Sequence, residues 1–123
     1  MPEQTDDGFR LVIFPHEECL VADVAGEVDY RNADRFQERV GAAWRETGDD
    51  RVLVIVLREL TFADSSALVV LARLLDQRHD SGRRLILAAL PAYLERMMVI
   101  SGLYEAFEVE PSLEAAMEAV RAA

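Results

Sequence analysis

The chain has 123 residues, of which 51% are hydrophobic, and sets 13 basic side chains against 23 acidic ones for a formal net charge of −10. A single domain follows, because a chain of this length buries about two-thirds of its unfolded surface and needs no staple. So acidic a surface repels a phosphate backbone and an anionic bilayer, and no apolar run approaches the ~20 residues of a spanning helix, which excludes nucleic acid and membrane insertion.

The opening MPEQTDDG carries three acids and no base, the reverse of a secretory start. Residues 1–8 are expected to be a loose segment ahead of a domain spanning 9–123, in a cytoplasmic protein. Apolar and aromatic residues from Phe9 to Phe14 and from Cys19 to Ala25 flank the turn Pro15-His16-Glu17-Glu18 and predict a hairpin, with Asp23 interrupting the second run. Ala33, Phe36, Val40, Ala43 and Trp44 then recur at helical spacing behind Asn32, a candidate N-cap, and Gly48-Asp49-Asp50 ends that helix. Val52 to Leu57 is too short and too apolar for anything but a buried strand, expected at the centre of the sheet.

Asp64-Ser65-Ser66 opens a second helix with Leu68, Leu71, Ala72 and Leu75 on one face and Gly82 as its terminator. A strand over Leu85 to Leu90, a helix from Pro91 to the C-cap Gly102, an extended piece at Phe107 to Val109 and a last helix behind Pro111-Ser112 complete the order ββαβαβαβα. Buried strands alternating with helices predict an α/β fold: an open, mostly parallel mixed sheet of four to five strands, an antiparallel edge hairpin and about four helices. Pro15 and the charges beside it guard the hairpin edge, so a monomer is expected.

The chemistry available is narrow. All 13 basic residues are arginine, so there is no lysine for a phosphate-binding loop or a Schiff base. The lone Cys19 cannot form an internal disulfide or a cysteine metal site, and in an apolar strand it reads as a small hydrophobe. His16 falls in the hairpin turn and His79 at the end of the second helix, where the dipole favours a cation; neither stands beside Ser65 as a base. No glycine pattern of the dinucleotide type exists, and no carboxylates pair at a spacing that demands a metal, so no cofactor and no catalysis are expected. Met97 and Met98 lie at helical spacing beside Leu94 and read as core. What remains is the turn before the second helix, where Ser65 has its hydroxyl close to free backbone N–H groups and the positive end of the dipole. Two readings stand there: Asp64 or Ser65 caps the helix, or Ser65 accepts a phosphate.

Three stretches, in this order and spacing, resemble the STAS domain family of bacterial anti-sigma factor antagonists over about Leu11 to Val120. Gly26-Glu27-Val28-Asp29 resembles the family's turn before its first helix. Phe62-Ala63-Asp64-Ser65-Ser66-Ala67-Leu68 resembles its phosphorylation signature, and Ser101-Gly102-Leu103 with Pro111-Ser112-Leu113-Glu114-Ala115-Ala116 resembles its final segments. The resemblance implies partner switching: the unphosphorylated protein binds a serine-kinase anti-sigma factor, phosphorylation at Ser65 releases it, and a serine phosphatase restores it. It implies partner-binding roles for Asp29, Asp64, Ser65, Ser66 and Ala67, with Asp29 and Asp64 as acids lining the interface; the alternative for Asp29 is that it only shapes its turn. Ser66 reads as the scaffold of the helix start. Ala67 stands where the family carries glycine, which predicts an extra methyl at the partner surface. The competing reading is a STAS module that is never phosphorylated, acting as a soluble subunit of a lipid transport complex or as a ligand sensor.

Overall fold

The computed structural model describes residues 3–6, 8–47, 51–81 and 83–122, with the backbone alone for 3–6 and 78–81. In chain order the elements are β1 (Glu3–Asp6), β2 (Phe9–His16), β3 (Cys19–Val28), α1 (Ala33–Glu46), β4 (Val52–Ala63), α2 (Ser65–Ser81), β5 (Leu85–Ala88), α3 (Ala92–Ser101), β6 (Glu108–Glu110) and α4 (Leu113–Ala122), with a short 3₁₀ turn at Tyr104–Ala106. They build one six-stranded sheet in the order β1-β2-β3-β4-β5-β6. The pairs β1–β2 and β2–β3 are antiparallel and the remaining three are parallel.

The α/β architecture and the four helices agree with the sequence reading, while the strand count rises to six. The added strand is β1, so looseness does not hold for Glu3–Asp6, which pair with Phe9 to Val12. Glu-Gln-Thr-Asp has no apolar alternation, so the sequence carries no periodic signal for this strand. The other residues of the expected loose segment, Met1, Pro2 and Asp7, lie outside the described residues, as do the turn Gly48-Asp49-Asp50, the terminator Gly82 and the side chain of His79.

Strand β4 runs six residues past Leu57, because Glu27 and Val28 of β3 pair with Phe62 and Ala63. Asp23 does not end its strand; the register slips between Asp23 and Ala25, a bulge that keeps pairing on both sides. The hairpin turn contracts to Glu17-Glu18, with Glu17 at a φ of 54°, and His16 closes β2 opposite Cys19.

Sheet alternation divides the core in two. Leu11, Leu20, Ala22, Val24, Leu53, Ile55 and Leu57 face one way and pack under α1, α2 and α3 through Phe36, Val40, Trp44, Leu71, Leu74, Leu94 and Met98. Cys19, Val21, Val54, Val56, Ile86 and Ala88 face the other way and are covered by Ala116, Met117 and Val120 of α4. Met98 is fully buried and Met97 packs against the same cluster, as the helical spacing predicts. Gly102 takes a φ of 81°, letting Leu103 N–H reach the Met98 carbonyl (2.9 Å) and closing α3 where the sequence places its cap.

Candidate functional site

The long pairing of β3 with β4 brings two loops together at the C-terminal ends of the strands. One joins β3 to α1 through residues 29–32, and the other is Asp64, the single residue between β4 and α2. Asp64 links them. One carboxylate oxygen accepts the Ser66 N–H (2.9 Å) and caps α2, while the other accepts the Tyr30 N–H (3.0 Å) across 34 residues of sequence. Asp64, and not Ser65, is therefore the side-chain cap.

Ser65 is the first residue of α2 and exposed, and its hydroxyl has no hydrogen-bond partner among the described residues. Ser66 is half-buried and gives its N–H to the cap, consistent with a scaffold. Ala67 departs from expectation. It is 5% exposed and points inward among Val24, Val28, Phe36, Leu57, Leu60, Leu71 and Leu94, so its methyl fills core and is not offered to a partner. The physical reason is helical phase: with Ser65 as the first helical residue, the third turns toward the sheet, one turn before Val70 and Leu71 on the same inward stripe.

Asp29 is 6% exposed and does shape its turn. One oxygen accepts the Arg31 N–H (2.9 Å) and the other the Arg31 Nη2 (2.8 Å), with Arg31 Nε at 3.3 Å from both. These hydrogen bonds from Arg31 hold the Asp29 carboxyl below the usual carboxylate range. Asp29 is thus an acid paired within its own loop, whereas Asp64 is half-buried and keeps an exposed aspect.

Asn32 occupies the N-cap position of α1 without capping it: its side chain turns back, accepting the Asp29 N–H (2.9 Å) and donating to the Glu27 carbonyl (2.9 Å). Tyr30, between these anchors, is 78% exposed at the loop tip. Neither Tyr30 nor Arg31 stands out in the sequence, because their prominence comes from loop dihedrals. The available hint is an aspartate two residues before an arginine in a turn, which allows the Asp29 side chain to accept from its own loop. No group of three or more histidine, cysteine or acidic side chains able to hold a metal occurs among the described residues, and no described helix is long and apolar enough to cross a membrane.

Comparison with known proteins places this geometry in a family. An anti-sigma factor antagonist from Mycobacterium paratuberculosis shares 26% identity, covers 95% of this chain and 97% of its own, and superposes with a TM-score of 0.83. The Bacillus cell fate determinant SpoIIAA in its phosphorylated form shares 18% identity over 89% of this chain and 98% of its own, with a TM-score of 0.69. The murine Slc26a9 anion transporter matches 86% of this chain at 19% identity and a TM-score of 0.77, using 18% of its own length. The STAS domain family model matches residues 12–116, so the chain belongs to the STAS domain family.

Proposed function

We propose that this protein is an anti-sigma factor antagonist that binds a serine-kinase anti-sigma factor and is switched by phosphorylation of Ser65. The observation that carries the reading is the unengaged, exposed Ser65 hydroxyl on the first residue of α2, beside a turn fixed by Asp64. A kinase partner transfers the γ-phosphoryl group of ATP to Ser65 Oγ; the new O–P bond replaces the bond to ADP, and the hydroxyl proton leaves to solvent. The product carries about −1.5 to −2 charges beside Asp64, and repulsion with desolvation across a contact surface loosens the complex. A change of 2–3 kcal/mol weakens binding roughly 30- to 150-fold. The start of α2 accommodates the phosphate, so the fold survives while the contact changes. A serine phosphatase resets the cycle, this chain catalyses nothing, and the pathway runs in the cytoplasm.

Likeness to the Mycobacterium antagonist over nearly the whole of both chains supports this reading, as does the existence of a phosphorylated form of the Bacillus relative. A second reading draws on the match to a segment of the murine transporter: a STAS module that is not phosphorylated, serving a lipid transport complex or sensing a ligand. Intact mass and fragment mapping of the protein from its own cells, with and without phosphatase treatment, separates the two. A phosphate on Ser65 supports the switch. Its absence under every growth condition favours the second reading. Ser65→Asp is expected to keep the fold and lose the kinase partner, measured by calorimetry; unaltered affinity would remove the electrostatic mechanism.

A further inference from the structure

The shape of the loop over residues 29–32 is fixed from several directions. Asn32, 1% exposed, ties both ends of the turn, Asp29 accepts the Arg31 backbone and side chain, and Tyr30 N–H fastens the loop to Asp64. That last hydrogen bond has a geometric consequence. Arg31 follows Tyr30 and Ser65 follows Asp64, each one Cα step of about 3.8 Å away, so Arg31 and Ser65 sit on adjoining segments joined by that bond.

Arginine presents five N–H donors in a planar fork, and Asp29 engages Nε and Nη2. Nη1 has no partner among the described residues, and the side chain is 62% exposed, so one edge of the fork remains open to solvent. A carboxylate on one edge fixes the plane and leaves the other edge preorganised. Phosphate is the anion whose geometry suits that fork best.

We propose that Arg31 is the counter-ion of the modified state: oriented by Asp29, its open edge takes the phosphate of phosphoserine 65. The proposal rests on the phosphoacceptor reading of Ser65 and names how that site is regulated. In the unmodified protein Arg31 and Tyr30 stand side by side, a cation and an exposed aromatic ring available to a partner. Phosphorylation occupies the open edge of Arg31, so one modification both adds negative charge and takes an arginine donor edge away from that surface. Charged groups on the adjoining segments include Asp64 on the modified residue's own turn, the Asp29–Arg31 pair on the neighbouring loop with Glu27 acting on Arg31, and the Asp34–Arg73 pair (3.7 Å) between α1 and α2. Of these, Arg31 alone adds an unneutralised donor edge next to the modified residue.

The test uses the full chain with phosphoserine placed at position 65 during translation, so it needs no cognate kinase. Phosphorus NMR follows the second ionisation of the phosphate, near 6 in free phosphoserine. It is expected about one unit lower in the otherwise wild-type chain than in Arg31→Gln, with Arg31→Lys in between. Arg58→Gln, seven residues before Ser65 and on β4, is expected to leave it unmoved. Equal ionisation in the wild-type and Arg31→Gln chains, both folded by their amide spectra, overturns the proposal. Should Arg31→Gln unfold, the Arg31 Nε–H resonance of the wild-type chain decides: a shift on phosphorylation upholds the contact, and an unmoved signal overturns it. Native protein that never carries phosphate would remove the Ser65 switch yet leave this titration as it stands.

Discussion

A single carboxylate holds the site together. Because the two oxygens of Asp64 serve two different segments, Asp64→Ala removes the α2 cap and the tie to Tyr30 at once. An expected loss of about 1–2 kcal/mol in urea unfolding follows. Ala67 makes the opposite point, that a residue in a functional signature can belong to the core. Ala67→Gly is expected to cost about 1–2 kcal/mol, from weaker helix propensity and one buried methyl lost. A gain in stability would contradict its inward placement. At Asp29 the linkage has a definite sign. Its folded ionisation lies below the unfolded value near 3.9, so its contribution is present above that pH and is lost as pH falls through the lower, folded value. Asp29→Asn is therefore expected to flatten the acid limb of the stability curve and to matter least once pH has fallen below that folded value. The serine of this site is readable from its motif, whereas the Asp29–Arg31–Asn32 network is not, since polar pairing two or three residues apart depends on backbone angles that composition does not encode.

Elements were legible in proportion to their apolar content. Val52 to Leu57, the inward stripe of α1 and the Gly102 cap each carry a period or a special backbone need that sequence displays. The polar half of β4, Arg58 to Ala63, is a strand only because β3 continues beside it, and β1 is a strand only because β2 offers it an edge. On α3 the two sides of the helix separate cleanly. Met98→Ala is expected to cost about 2–4 kcal/mol as a cavity opens under the helix, whereas Ile100→Ser, at an 85% exposed position, changes stability little. At the β3 bulge, desolvation together with Glu59 raises the pKa of Asp23, with Arg58 and Arg10 opposing. A raised folded value means the native state holds its proton longer, so the cost is borne at pH above that value and vanishes as both states protonate. Asp23→Asn is thus expected to raise the melting temperature at pH 7 and to leave it unchanged near pH 3.

At the scale of the molecule, sequential strand order places three crossover helices on one side and leaves α4 alone on the other. Both edge strands carry acids, Glu3 and Asp6 on β1 and Glu108 and Glu110 on β6, so sedimentation is expected to return the 13.8 kDa of one chain. The fold class followed from alternation of period along the chain, while the asymmetric covering of the two faces needed the sheet order itself. That asymmetry gives the protein an internal clock. Its one thiol, Cys19, is fully buried beneath the residues that α4 lays over the second face, and burial pushes its pKa up, keeping it a thiol. A thiol reagent reaches it in excursions that uncover the second face, and the labelling half-time is expected to follow how often the last helix undocks. Loosening the helix at Met117 should speed the reaction long before the whole chain unfolds.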